Sequence, residues 1–91
     1  FWKMLERYFK QKFAESFLYK DIGSWWELKG NAYEIDIVAL CLEKDKAVAV
    51  EVKRQKKNYK PDLLEKKVER LKHKILPHYM ITKMCLSLED M

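Results

Sequence analysis

The sequence predicts one α/β domain in which a helix, three strands, a second helix and a final strand follow one another. Two stretches have apolar residues at helical spacings of three and four, and four runs are rich in β-formers. Gly, Pro and short polar stretches separate these segments. The predicted elements are a helix over 2–19, strands over 25–28, 33–42 and 47–52, a helix from 61 that Pro77 closes, and a strand over 79–86.

The first helix is indicated by aromatic residues on one face. Leu5, Phe9, Phe13 and Phe17 follow Trp2 at spacings of three and four. We therefore expect Phe9, Phe13 and Phe17 to belong to the core.

The next strand is indicated by the pair Trp25 and Trp26, which follows Gly23-Ser24 and precedes a turn signal at 29–31. Either tryptophan could stack on nucleic-acid bases. In a strand beside an aromatic helix, we instead expect one in the core and the other at an interface with a neighbouring domain.

A hairpin follows, with the polar stretch Glu43–Lys46 as its loop. This loop pairs Leu42 with Ala47 and produces one entirely apolar face, because side chains alternate along a strand. The residues of that face are Ile35, Ile37, Ala39, Cys41, Val48, Val50 and Val52.

The opposite face of the hairpin carries two carboxylates. In this register Asp36 lies opposite Lys53, and Glu51 is the diagonal neighbour of Asp36 at about 7–8 Å between backbones. Two such carboxylates can chelate one cation. The alternatives are an ion pair of Lys53 with either acid, or acids that reach solvent at the sheet edge.

The second helix begins at Pro61. Its predicted buried stripe consists of Leu63, Leu64, Val68, Leu71 and Ile75.

The positive charge is concentrated in one segment. The 91 residues carry a net charge of +5, yet residues 53–74 alone carry +7 and the remainder −2. Such a patch suits a polyanion such as DNA or RNA, and a solvated lysine-rich helix is the alternative. The residues expected to contact phosphates are Arg54, Lys56, Lys57 and Lys60.

Several classes of protein are excluded by the composition. At 48% hydrophobic residues the chain is too apolar for a disordered tail, and it has neither a membrane-length apolar run nor a signal-peptide pattern. We expect a cytoplasmic protein in which Cys41 and Cys85 are reduced core thiols. His73 and His78 lack the spacing of a zinc site. Because the chain starts at Phe1 and not at Met, we expect it to be part of a longer protein.

The motifs Glu34-Ile35-Asp36 and Glu51-Val52-Lys53, on consecutive strands, resemble those of the PD-(D/E)XK nuclease-like superfamily. That superfamily has an αβββαβ restriction-endonuclease-like core with a mixed sheet flanked by helices. A narrower resemblance is to the C-terminal domain of archaeal-type AAA ATPases, a domain of unknown function. It rests on Trp25-Trp26, EIDIVAL at 34–40, EVK at 51–53 and CLSLEDM at 85–91.

The resemblance implies that Asp36 and Glu51 hold Mg²⁺ or Mn²⁺, with the Val52 carbonyl as a further ligand. Lys53 would orient the attacking water and offset developing negative charge. Superfamily nucleases often add a glutamate from the first helix, for which we favour Glu6 over Glu15. Further accessory residues of the implied site are Glu34 and Gln55.

The resemblance also implies a preceding P-loop ATPase domain that binds ATP. The present chain has no phosphate-binding loop motif, so ATP binding is not assigned to its residues. The predicted function is metal-dependent cleavage or binding of nucleic acid, with DNA favoured. The alternatives are a non-catalytic module that docks nucleic acid or regulates the ATPase, and an oligomerisation module.

Overall fold

The computed structural model describes residues 2–26 and 33–91 and confirms the predicted α/β order. The turn predicted at 29–31 lies outside these residues. Short 3₁₀ turns occur at Lys56–Asn58 and Leu88–Asp90. The helices and strands are α1 (Trp2–Glu15), β1 (Tyr19–Trp26), β2 (Glu34–Cys41), β3 (Lys46–Val52), α2 (Pro61–Lys74) and β4 (Met80–Leu86).

The four strands form one mixed sheet in the order β1-β2-β3-β4. The first three strands pair antiparallel, whereas β4 runs parallel to β3 because α2 provides the crossover between them. β3 is therefore a central strand, which explains why its residues are apolar on both faces. No helix in the described part of the chain is long and apolar enough to cross a membrane.

The core consists of two clusters, one for each helix. The α1 cluster contains Leu5, Phe9, Ile37, Val48, Val50 and Val52. The α2 cluster contains Ile35, Ala49, Leu64, Val68, Leu71 and Leu76. Trp25 packs against the α2 cluster and Trp26 is exposed, so one tryptophan of the pair is partly buried, as predicted.

The first helix is shorter than predicted. It ends at Glu15, and the chain reverses through Phe17, which has a φ of 59°. This left-handed residue carries the chain away from the helix axis, and its side chain is 82% exposed. The expectation that Phe17 belongs to the core was therefore wrong. Gly23 and Ser24 lie within β1 and do not separate two elements.

The hairpin has a different register from the predicted one. Ile37 pairs with Val50 and Ala39 with Val48, two positions earlier than predicted on β3. The reason is that β3 already begins at Lys46, directly after Asp45, whose φ of 58° closes the turn. A shift of two residues leaves each side chain on the same face, but it moves Glu51 towards Asp36 and Lys53 away from it.

A bulge in β2 determines where Asp36 lies. Gly23 pairs with Val38 and Trp25 pairs with Ile35, so two residues of β2 stand opposite Ser24 alone. The bulge interrupts the alternation of side chains. As a result, Ile35 packs in the α2 cluster and not on the same face as Ile37, contrary to the sequence-based expectation.

The buried stripe of α2 is narrower than predicted. Leu64, Val68 and Leu71 are buried, whereas Leu63 is 40% exposed and Ile75 is 56% exposed. Leu63 lies about 100° around the helix from Leu64, whereas Ile75 comes after the last helical residue, Lys74.

Adjacent leucines of α2 provide a test of this packing. Leu64→Ala is expected to lower the free energy of unfolding by about 2–5 kcal/mol, because it leaves a cavity in the core. Leu63→Ala, the matched control, should cost less than about 1 kcal/mol. Urea denaturation would measure both values, and equal losses would contradict the observed orientation of α2.

Candidate functional site

Asp36 and Glu51 form a buried pair of carboxyl groups where β2 separates from β3. Their exposed fractions are 9% and 5%, and the two groups lie close enough for Glu51 to raise the pKa of the Asp36 carboxyl. Asp36 Oδ2 also accepts the backbone N–H of Val52 at 2.8 Å. Regular pairing of the strands ends at Ile37 and Val50, so this carboxylate takes the place of a backbone acceptor.

The environment of Asp36 favours its protonated form. Its pKa is raised to about 6: burial is the main cause, the Val52 N–H works in the opposite direction, and the nearby Glu51 and Glu6 also raise it. A direct hydrogen bond between Asp36 and Glu51 would require a proton, because two ionised carboxylates have only acceptor atoms. A cation between the two groups would satisfy the same need.

Lys67 of α2 is the basic partner of this pair. Its Nζ donates to Glu51 Oε1 at 2.6 Å, and the Lys67 side chain is only 14% exposed. The alternative of an ion pair between Lys53 and either acid was wrong: Lys53 pairs with neither carboxylate in the described part of the chain. Lys67 lies three residues after Leu64 and four before Leu71, so its helical position was the signal that could have identified it.

Glu6 of α1 approaches the pair from the other side. Ser24 Oγ lies 2.7 Å from the Asp36 carbonyl oxygen and 3.1 Å from Glu6 Oε1, which also binds Lys10 Nζ at 3.0 Å. The structure therefore brings Glu6 close to Asp36. Glu15 is exposed at the end of α1, where it pairs with Lys12 at 3.6 Å.

The other residues of the predicted site lie further out. Lys53 is half-buried, and its backbone N–H donates to the Leu86 carbonyl at 2.9 Å. Burial raises the pKa of the neighbouring Cys85 thiol, and the charges of Lys56 and Lys53 partly offset this effect. Glu34 and Gln55 are exposed, and no hydrogen bond between described residues links them to the acid pair.

The residues predicted to contact phosphates lie in the segment that joins β3 to α2. Arg54, Lys56, Lys57 and Lys60 are all exposed there. Lys56 pairs with Asp90 at 3.0 Å, and this contact lowers the pKa of the Asp90 carboxyl. The basic segment thus begins one residue after Lys53, which follows Glu51 and Val52 on β3.

The acid pair supplies part of a coordination sphere for a divalent cation. Mg²⁺ prefers oxygen ligands and is often held by one or two carboxylates, with water and phosphate oxygens completing the shell. Asp36 and Glu51 match that donor set. No cluster of three or more His, Cys, Asp or Glu residues suited to a metal ion occurs within 2–26 and 33–91.

Asp36→Asn is expected to stabilise the protein at neutral pH. The amide oxygen can still accept the Val52 N–H, and the amide nitrogen can donate to Glu51 without a titrating proton. Because folding raises the pKa of Asp36 from 3.8 to about 6, wild-type stability should fall as the pH rises through that interval. The substitution should add about 1–3 kcal/mol at pH 8 and less at pH 5.

Urea denaturation at both pH values would measure this difference. Asp21→Asn, an exposed site on β1, is the matched control and should change stability by less than about 0.5 kcal/mol. A change in stability on Asp36→Asn that is the same at pH 5 and pH 8 would contradict the raised pKa of Asp36.

Comparison with known proteins places the chain in a family. No curated protein and no solved structure matches the chain. The family model for DUF234, described as archaeal and bacterial proteins of unknown function, matches residues 1–72. The match includes Glu6, Asp36, Glu51 and Lys67 and ends within α2. The chain therefore belongs to the DUF234 family of archaeal and bacterial proteins.

Proposed function

We propose that the protein is a metal-dependent phosphodiesterase of the PD-(D/E)XK nuclease-like type that acts on nucleic acid, with DNA as the favoured substrate. Asp36 and Glu51 would hold Mg²⁺ or Mn²⁺. The protein would work in the cytoplasm together with a preceding ATPase domain that binds ATP.

The observation that carries this proposal is the buried contact between Asp36 and Glu51. Two carboxyl groups are normally kept apart in a protein interior, because each loses hydration and each repels the other when ionised. Lys67 contributes a single positive charge. Full ionisation of both acids would leave one negative charge that the lysine does not balance, whereas a divalent cation in place of the lysine would balance both charges.

The residues around the pair can be given roles in phosphodiester hydrolysis. The chemistry that a bound cation supplies is polarisation of the scissile phosphate and a lower pKa for the attacking water. The Val52 N–H fixes the orientation of Asp36, and Glu6 adds negative charge near it. Lys53 would orient the water and offset negative charge on the phosphate.

The basic segment supports a polyanionic substrate. Arg54, Lys56, Lys57 and Lys60 are exposed and follow the strand that carries Glu51. Lysine and arginine side chains that contact phosphates make binding strongly dependent on salt concentration. A nucleic acid bound along this segment would lie next to the acid pair.

A second candidate function is a non-catalytic module that docks nucleic acid or regulates the ATPase. It is favoured by the contacts that already satisfy the acids: Lys67 pairs with Glu51, and the Val52 N–H binds Asp36. The exposed Trp26 would then contribute to an interface with the neighbouring domain or with a second copy of the chain.

Calorimetric titration with Mn²⁺ and a cleavage assay on DNA and RNA test the first proposal. Wild type should bind Mn²⁺ and cleave one of the substrates. Asp36→Asn and Glu51→Gln should abolish Mn²⁺ binding and lower cleavage by at least about 100-fold, because each removes one of two metal ligands. Lys53→Ala should lower cleavage by a similar factor and retain Mn²⁺ binding.

Asp21→Asn again serves as the control and should behave like wild type in both assays. Salt-sensitive nucleic-acid binding without Mn²⁺ binding would favour the non-catalytic module. Cleavage that is unchanged in all three site variants would assign the activity to a contaminant.

A further inference from the structure

Lys67 occupies an unusual place for a lysine of a helix. It lies on the side of α2 that buries Leu64, Val68 and Leu71, and it is much less exposed than its neighbour Lys66. Its ammonium group reaches Glu51 from a different element and at a short distance of 2.6 Å. A buried ion pair of this kind is costly to desolvate and also costly to break.

Under the proposed function, two positive groups would therefore compete for the Glu51 carboxylate. The Lys67 ammonium already lies against Glu51 Oε1, and a divalent cation held by Asp36 and Glu51 would lie within a few ångströms of it. Like charges at that separation repel strongly where little water screens them. The two positive groups should not occupy the site together.

We propose that Lys67 is the resident counter-ion of the acid pair and that a divalent cation displaces it from Glu51. The proposal rests on the metal site described above. The lysine stem has four flexible carbons, so Nζ can swing to solvent while the α2 backbone stays in place. The protein would then remain folded without metal, and the metal affinity would be reduced by the work of breaking the ion pair.

The main test compares Mn²⁺ affinity in wild type and Lys67→Met by calorimetry. The methionine keeps an unbranched apolar stem and removes the charge, so Mn²⁺ no longer has a competitor. We expect the dissociation constant to fall by about tenfold. Lys66→Met, at the exposed neighbouring position, is the matched control and should retain the wild-type constant.

Thermal unfolding provides a readout that does not depend on activity. Lys67→Met should unfold at a lower temperature than wild type without metal, and saturating Mn²⁺ should raise its midpoint by more than it raises that of wild type. Lys67→Arg keeps the charge and is the second variant in case Lys67→Met fails to fold. It should bind Mn²⁺ no more tightly than wild type.

The outcomes separate this inference from the proposed function. Equal Mn²⁺ affinity in wild type and Lys67→Met, or tighter binding by Lys67→Arg, would overturn the displacement while leaving the metal site in place. Mn²⁺ binding by Lys67→Met but not by wild type would support the displacement and contradict the proposal that the wild-type protein binds the metal. The absence of Mn²⁺ binding in every variant would overturn both.

Discussion

The close approach of Asp36 and Glu51 is the constraint to which the surrounding structure is fitted. A bulge in β2 turns Asp36 so that its carboxylate accepts a hydrogen bond from the Val52 N–H. This contact lies at the point where β2 and β3 stop pairing. Glu51 lies on the central strand between two core clusters and is only 5% exposed. Burying both groups requires a proton, a lysine or a metal ion to balance their charge.

The two helices supply the other charged side chains around the pair. α2 brings Lys67 to Glu51 from the same face that packs Leu64 and Leu71 into the core. α1 brings Glu6 to the other side, where Ser24 of β1 lies between it and the Asp36 backbone. The charged members of this acidic centre thus come from four elements, α1, α2, β2 and β3, and a change in the charge of one member should affect the others.

Much of the fold could be predicted from local patterns, whereas the contacts between strands could not. The order of elements and the central position of β3 follow from periodicity and from the apolar run around Glu51. The hairpin register depended on whether Lys46 belongs to the loop or to the strand, and a difference of one residue there moves each pairing by two. The bulge opposite Ser24 leaves no pattern in the local sequence, because it arises from pairing with β1.

The candidate site, like the fold, could be predicted only in part from local sequence patterns. Asp36 and Glu51 stand out as carboxylates within apolar strands, so the sequence alone points to them. Lys67 lies in a run of basic residues that is typical of a solvated helix face, and only its helical phase relative to Leu64 and Leu71 marks it as buried. Lys53 belongs to the expected motif, but the observed register moves it away from Asp36.

The most direct test of a cation-binding acid pair is anomalous diffraction from crystals soaked in Mn²⁺. We expect a peak between the carboxylate oxygens of Asp36 and Glu51, with Lys67 Nζ moved away from Glu51. An empty site at saturating Mn²⁺, with Lys67 still bound to Glu51, would contradict this central claim and identify the pair as a structural ion-pair network.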